Sequence, residues 1–384
     1  MAKDYEYTGE EPENREPNIA ELLDSYITPV STAYDRNHSE YPEHIDPNTH
    51  TFAITGLVQK PLSLHIADLR ALPQHSVLCC LQCAGNRRHT MRTKIKEVNG
   101  IDWFDGAIAN CVWRGPRLCD VLSLAGLDDS VRGEKGWVGH VEFVCDGMKC
   151  QDAANYGGSV ALERAMCEDA DVILALEMNG APLTIKHGAP VRAVVPGVLG
   201  ARSVKWLDRI TVQMHESRHF YQQRDYKMLP PEAVDAKEAE KFWDSTPPMN
   251  DMPVNSVVGI PRQGTTVRRD ENGMIDVRGY AVPAGMDGPV VKVEVSGDDG
   301  RTWTEAVLDF GGNDCSILDS EDGRKSVRWA WCLWRTKVRV AKGSGRVLSR
   351  ATDFKGNLQP REGQWTLRGV GYNAWGESAD LTVI

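Results

Sequence analysis

A chain of 384 residues, 41% of them hydrophobic, is longer than one ordinary core organises and suits two domains. Its formal net charge of −10 excludes broad binding along a phosphate backbone, which needs Lys and Arg in surplus on one face, so no nucleic acid partner is expected. No apolar run reaches the ~20 residues that cross a bilayer, and no membrane partner is expected either.

The chain opens on "MAKDYEYTGEEPENREP", which is acidic and polar. It has neither the basic-then-apolar order of a secretory leader nor the Arg-rich order of a transit peptide. Residues 1–25 are read as a flexible arm. A soluble, intracellular and most simply cytoplasmic chain follows, with the mitochondrial intermembrane space and the peroxisome left open, although the ending "DLTVI" is not a Ser-Lys-Leu signal.

Over residues 26–245 short apolar strands such as "TFAITGLV" mix with helical segments. In "SVALERAMCEDADVILAL" the residues Leu162, Ala165 and Met166 recur at helical spacing. The stretch "FWDSTPPMNDMP" reads as a boundary. Beyond it, residues 246–384 run strand after strand. Val291, Val293 and Val295 alternate with Lys292 and Glu294, Asp299-Gly300 turns a hairpin, and Trp329, Trp331 and Trp334 are large packing anchors. The fold class is therefore α+β, a mixed α/β domain followed by an all-β sandwich of immunoglobulin size.

Ten cysteines are too sparse for a disulfide scaffold. Cys111, Cys119, Cys167, Cys315 and Cys332 sit among apolar neighbours and read as core residues. Cys80-x-x-Cys83 has zinc spacing, but its only second pair, Cys145 and Cys150, has no His-x-His companion. In "CCLQCAGNRRH" the arginines after Cys83 favour a thiolate, which is a nucleophile or a soft metal ligand. A cysteine hydrolase would need a histidine such as His187 or His38, and no local signature of one surrounds Cys83. Arginines in turn-like contexts, Arg36, Arg87, Arg88, Arg192 and Arg368, together suggest an anionic ligand.

"LQCAGNRR" with "HGAPVRAVVPGVLGARSVKWLDRI" resembles the molybdenum-cofactor domain of the sulfite oxidase family, to which assimilatory nitrate reductases also belong. The likeness continues through "DRNH", "EMNGAPL", "RDYK", "VEVSGDDGRTW", "WAWCLW" and "WTLRGVGYNAW". It implies a cofactor domain followed by an immunoglobulin-like dimerisation domain, hence a homodimer. By resemblance, Cys83 is the one protein thiolate on molybdenum. The molybdopterin groove is implied to draw on Tyr34, Asp35, Arg36, Asn37, His38, Asp146, His187, Arg192, Ser203, Val204 and Lys205. The substrate pocket is implied to use Arg36, Arg88, Tyr226 and Arg368, with Trp103 as a wall.

The implied reaction is oxygen-atom transfer from molybdenum to sulfite, giving sulfate, with electrons passing to an external acceptor, oxygen or a cytochrome. Arg368 favours sulfite over nitrate, because a dianion needs more positive charge than a planar monoanion. No His-Pro-Gly-Gly segment and no Gly-x-Gly-x-x-Gly fingerprint occurs, so neither haem nor flavin is expected. Nitrate reduction and a non-catalytic binding role on the same fold are the alternatives.

Overall fold

The computed structural model describes residues 12–384. Alternation in Thr51–Gly56 buries Phe52 and Ile54 on one face, and the strand pairs in parallel with Arg209–Gln213, whose Ile210 and Val212 are also buried. Leu62–His65, His140–Cys145 and Tyr156–Ala161 complete a five-stranded sheet. The helix Leu118–Ala125 turns Leu118, Val121, Leu122 and Ala125 onto the same core.

A second sheet pairs His75–Gln82 with Ile108–Gly115, Cys79 opposite Cys111, and extends through Glu177–Met178 to Ala181–Pro182. The strand His75–Gln82 stops one residue before Cys83 and delivers that residue into a loop. Its flank touches the second half of the chain, where the Cys80 N–H donates to the Trp329 carbonyl at 2.9 Å.

That second half is a sandwich. One sheet runs Asn255–Ile260, Met274–Val282, Cys332–Arg339 and Val307–Asp309 in spatial order. The other runs Thr266–Val267, Gly376–Val383, Gly343–Asp353, Val290–Ser296 and Thr304–Glu305. Val293, Val295, Val338, Val347 and Leu381 meet between them. The expected hairpin forms, with Val295 opposite Thr304.

Several expectations from the sequence are corrected. Of the presumed flexible arm, residues 1–11 lie outside the described residues, and the rest is packed: Arg15 bridges to Asp35, and Leu22 and Leu23 of the helical turn Ile19–Leu22 and its cap are buried. Burying those two leucines offsets the entropy of ordering a polar stretch. The segment 159–176 is not one helix. Only Leu162–Met166 is α-helical, between the strands Tyr156–Ala161 and Ile173–Ala175, because β-branched Val160 and Ile173 are drawn into sheets. A register shift after Val290 buries that valine in place of Val291. The sandwich also holds a short helix, Glu321–Val327, and Cys315 beside it is exposed rather than core. All ten cysteines are free thiols.

Candidate active site

Cys83 begins a tight loop. Its own N–H donates to the Ala107 carbonyl at 2.9 Å, and its carbonyl accepts the Asn86 N–H at 3.0 Å. The Gly85 N–H points at the sulfur, 3.5 Å from Sγ. A Cβ at Gly85 would stand 2.4 Å from the Arg88 guanidinium and displace it. Arg87, in the left-handed region at φ 68°, turns the chain into the helix Arg88–Lys94. Its guanidinium is buried and crosses into the sandwich, donating to Asn255 Oδ1 at 2.7 Å and to the Ala374 carbonyl at 2.6 Å. The Cys83 loop is thus held by both halves of the molecule.

Beside it lies a cavity of about 900 Å³, open mouth included. Tyr34, Arg36, Asn37, His38, Cys83, His187, Arg192, Ser203, Val204, Lys205 and Tyr226 are among the residues that line it. The structure thereby brings together eleven of the residues named from the sequence. Arg192 donates to the His187 carbonyl at 2.9 Å and the Ser203 carbonyl at 2.8 Å, and lies over the Trp113 ring. Lys205 donates to Asn37 Oδ1 and to the Lys186 carbonyl at 3.0 Å. The His187 ring donates to the Val30 carbonyl at 3.1 Å.

Arg192 and Lys205 thus have carbonyl and amide acceptors, and among the described residues no Asp or Glu lines the cavity. The electrostatic consequence is direct. Burial, then the neighbouring Arg192 charge, pushes Lys205 down to about 7, and burial pushes Arg192 down to about 10 and His187 down to about 4. His38 is held far below its usual range by burial and then by Arg36 and Arg368. Buried positive charge with no partner charge calls for an anion.

The remaining arginines gather on the Cys83 side. Arg36 lies against the His38 ring, 2.9 Å from Nε2, and the Tyr226 hydroxyl is 2.8 Å from the same nitrogen. Burial opposes the Arg36 charge, yet Tyr226, Cys83 and Asp225 outweigh it and raise its pKa. Arg88 donates from Nε to the Arg368 carbonyl at 3.0 Å and from Nη1 to the Ile101 carbonyl at 2.7 Å. Burial lowers its pKa, with Arg36 and Arg368 acting the same way and Cys83 and Asp225 against. Trp103 packs on Cys83 and Ala107, fully buried, with its indole Nε1 lacking any hydrogen-bond partner.

Five of the named residues are absent from the cavity lining: Arg88 and Trp103, buried beside the Cys83 loop, and Asp146, Asp35 and Arg368. Asp146 does not face the cavity. The strand His140–Cys145 ends just before it, so Cys145 faces inward while the Asp146 carboxylate turns out to Arg209, whose Nε donates at 2.9 Å and holds it below the usual carboxylate range. Asp35 points back to Arg15, whose Nε donates to it at 3.0 Å, and is also absent from the lining. Arg368 is not a free cation: Asp225 Oδ1 accepts from its Nε at 2.8 Å and Nη2 at 2.5 Å. Asp225 ends a π-helical turn, Tyr221–Asp225, that presents Tyr226 next in the chain.

Sequence reasoning did not single out Asp225, although "RDYK" contained it. It also passed over Lys186, Trp206 and Tyr156 in the lining, the first of which adjoins His187 in "TIKHG".

A molybdenum pterin fits this surface on three counts. Its anionic pterin phosphate matches a lining rich in cations and without carboxylates. Among the described residues no group of three His, Cys, Asp or Glu side chains can cage a metal ion, so a metal held here would rely on a chelate that it brings, with Cys83 as one soft protein donor. The cavity volume, about 900 Å³ with the open mouth, is that of a cofactor pocket.

The family described as "Oxidoreductase molybdopterin binding domain" matches residues 38–221, and "Mo-co oxidoreductase dimerisation domain" matches residues 246–379. A sulfite oxidase from Arabidopsis thaliana is 40% identical over 95% of this chain and 91% of its own length. The mitochondrial sulfite oxidase of Homo sapiens is 42% identical over 95% of this chain, which spans only 63% of that relative. An NADH nitrate reductase of Ulva prolifera is 33% identical, and the chain spans 42% of it. Among solved structures, the sulfane dehydrogenase SoxCD of Paracoccus pantotrophus superposes with a TM-score of 0.75 over 97% of this chain and 86% of its own, at 24% identity, a likeness of fold.

Proposed function

The chain belongs to the sulfite oxidase family of molybdopterin-binding oxidoreductases, and from that premise we propose that it oxidises sulfite to sulfate and works as a homodimer joined through its β domain. Sulfite and water become sulfate, two protons and two electrons, and the electrons leave to an acceptor outside this chain. When bound, the molybdenum cofactor supplies oxygen-atom transfer and takes up the electron pair.

The observation that carries this reading is the buried Cys83 thiol, faced at its sulfur by the Gly85 N–H, on a carboxylate-free, cation-lined cavity. Arg36, His187, Arg192 and Lys205 hold the anionic cofactor, and the Gly85 N–H faces the Cys83 sulfur. Arg36 and Arg88 orient the substrate dianion. Arg368, charge-balanced by Asp225, adds a directed guanidinium edge rather than a full net charge. Tyr226 keeps its proton, since burial raises its pKa, and so serves as a hydrogen-bond donor to a substrate oxygen or to His38. His38, kept neutral by burial and the Arg36 charge, accepts the Tyr226 hydrogen bond at its ring nitrogen. Trp103 and the buried Cys83 loop keep bulk water from this side.

The deciding experiment measures molybdenum by elemental analysis and steady-state turnover with sulfite and, separately, with nitrate, using ferricyanide or reduced viologen as partner. Stoichiometric molybdenum with sulfite-dependent ferricyanide reduction is expected. Nitrate turnover exceeding that of sulfite, or a protein free of molybdenum from cells that make the cofactor, would overturn the reading.

A further inference from the structure

The Cys83 loop hangs on loop 103–107. The Cys83 N–H donates to the Ala107 carbonyl at 2.9 Å, Arg87 N–H to the Phe104 carbonyl at 2.6 Å, and His89 N–H to the Trp103 carbonyl at 2.9 Å. In return the Ala107 N–H donates to Asn86 Oδ1 at 3.1 Å. What holds loop 103–107 itself comes from the N-terminal segment. Glu16 Oε1 accepts the Phe104 N–H at 2.7 Å and Oε2 accepts the Gly106 N–H at 2.8 Å. Gly106 is shaped for this seat, since a Cβ there would stand 2.7 Å from the Pro17 carbonyl oxygen and 3.2 Å from Glu16 Oε2.

The residues around Glu16 grip the segment 35–37 and Lys186. Arg15 holds Asp35, Asn14 Oδ1 accepts from Arg36 Nη1 at 3.1 Å and from the Asn37 N–H at 2.9 Å, and Glu13 receives Lys186 at 2.8 Å. Residues 13–16 therefore tie the segment of Arg36 to loop 103–107, on which the Cys83 loop hangs. Glu16 is nearly buried, and burial pushes its carboxyl up to about 8, the two N–H donors acting against that and Asp105 and Asp102 with it. Those two aspartates are themselves engaged, Asp105 near Arg87 and Asp102 by His89 and Arg92.

We propose that Glu16 is a positioning residue for the reaction: its two-pronged grip on Phe104 and Gly106 sets where Trp103 and the Cys83 loop stand relative to Arg36. It touches neither substrate nor cofactor. The inference deepens the reading given under Proposed function and rests on it for its kinetic arm only.

The test is Glu16→Gln in the loaded, full-length protein. The amide keeps one acceptor and turns an N–H₂ donor toward the other backbone N–H, so one prong is lost while size is kept. Expected are faster hydrogen exchange at the Phe104 and Gly106 amides, a shifted visible absorption band of the loaded protein, and kcat for sulfite lower by about ten- to a hundred-fold, the scale of a small misplacement. Molybdenum content stays stoichiometric and KM moves less than two-fold. Gly106→Ala, which crowds the same seat from the other side, gives the same pattern. Unchanged exchange, band and kcat would overturn the proposal, and so would parallel loss of molybdenum and of thermal stability in both variants, which marks a general structural prop. If the wild type fails to turn over sulfite, the proposed activity falls, while the exchange and absorption arms still decide the role of Glu16.

Discussion

Between the sheets of the β domain the buried side chains are apolar, Val and Ala most often, and the buried polar groups from Asn255 onward are neutral apart from Asp353. Around the cavity, buried Arg87, Arg88, Arg192, Arg202, His187, Asp35 and Asp225 stand in the same chain's other half. The β-domain core does what hydrophobic area does, holding a shape without specifying chemistry. The cavity wall accepts the cost of desolvated charge and satisfies its guanidiniums with carbonyls, for instance Arg192 on His187 and Ser203, which completes their hydrogen bonds and leaves their charge. A site is recognisable by that residue of uncancelled charge. The contrast is not a clean split along the chain, because the β domain lends Arg368 to the site and carbonyls to Arg87 and Arg88.

Replacing Cys83 with Ser strikes the site without touching the β-domain core and should have the largest effect. One soft donor is lost from a group that the cavity's cations still hold, so sulfite turnover disappears while cofactor content and Tm stay near wild type. Near-native turnover with cofactor bound would show that Cys83 is not the ligand.

Arg368→Met tests whether the β domain takes part in the chemistry. Loss of a charge-assisted hydrogen bond of ~1.5–3 kcal/mol lowers kcat/KM for sulfite about ten- to a hundred-fold. Because Asp225 loses its partner at the same time, the single variant also leaves an unpaired carboxylate against the incoming dianion. The double variant Arg368→Met with Asp225→Asn should therefore recover part of the loss, and the ratio of nitrate to sulfite efficiency should rise in both. A ratio that does not move would put Arg368 outside substrate selection.

The smallest effect concerns Lys205. It is a base whose folded pKa, about 7, lies below its ordinary value near 10.5. Between those values the unfolded chain binds the extra proton, so this group makes stability rise with pH across that window; the fold weakens as pH falls toward about 7 and the effect levels off below it, where both states are protonated. Thermal melts of cofactor-free protein should show a steeper rise of Tm from pH 7 to 9 in wild type than in Lys205→Met. Identical slopes would mean that Lys205 enters the folded cavity fully charged.

Much of this was legible in one dimension. The period-two valines and the Asp299-Gly300 turn are local signals, and the hairpin at Val295 and Thr304 follows from them. The short-range order of Cys83 and the paired arginines likewise marked the thiol, whereas the Gly85 N–H at its sulfur emerged from the folded loop. The motifs also announced Tyr34, Arg36, His38, His187, Arg192 and Lys205, and these do meet at one cavity.

What the chain order did not carry was direction and partnership. Whether Asp146 or Cys145 faces the cavity depends on where a strand ends, a matter of one residue that flips the side chain to the other face. That Asp225 cancels the charge of Arg368, that Arg87 reaches into the sandwich, and that polar, acidic residues 13–16 form a tie rather than an arm all depend on groups more than a hundred residues apart or on a carboxylate whose acceptors find buried N–H donors. Composition describes how a segment behaves in water; only the folded structure supplies the partners that make burying a charge favourable.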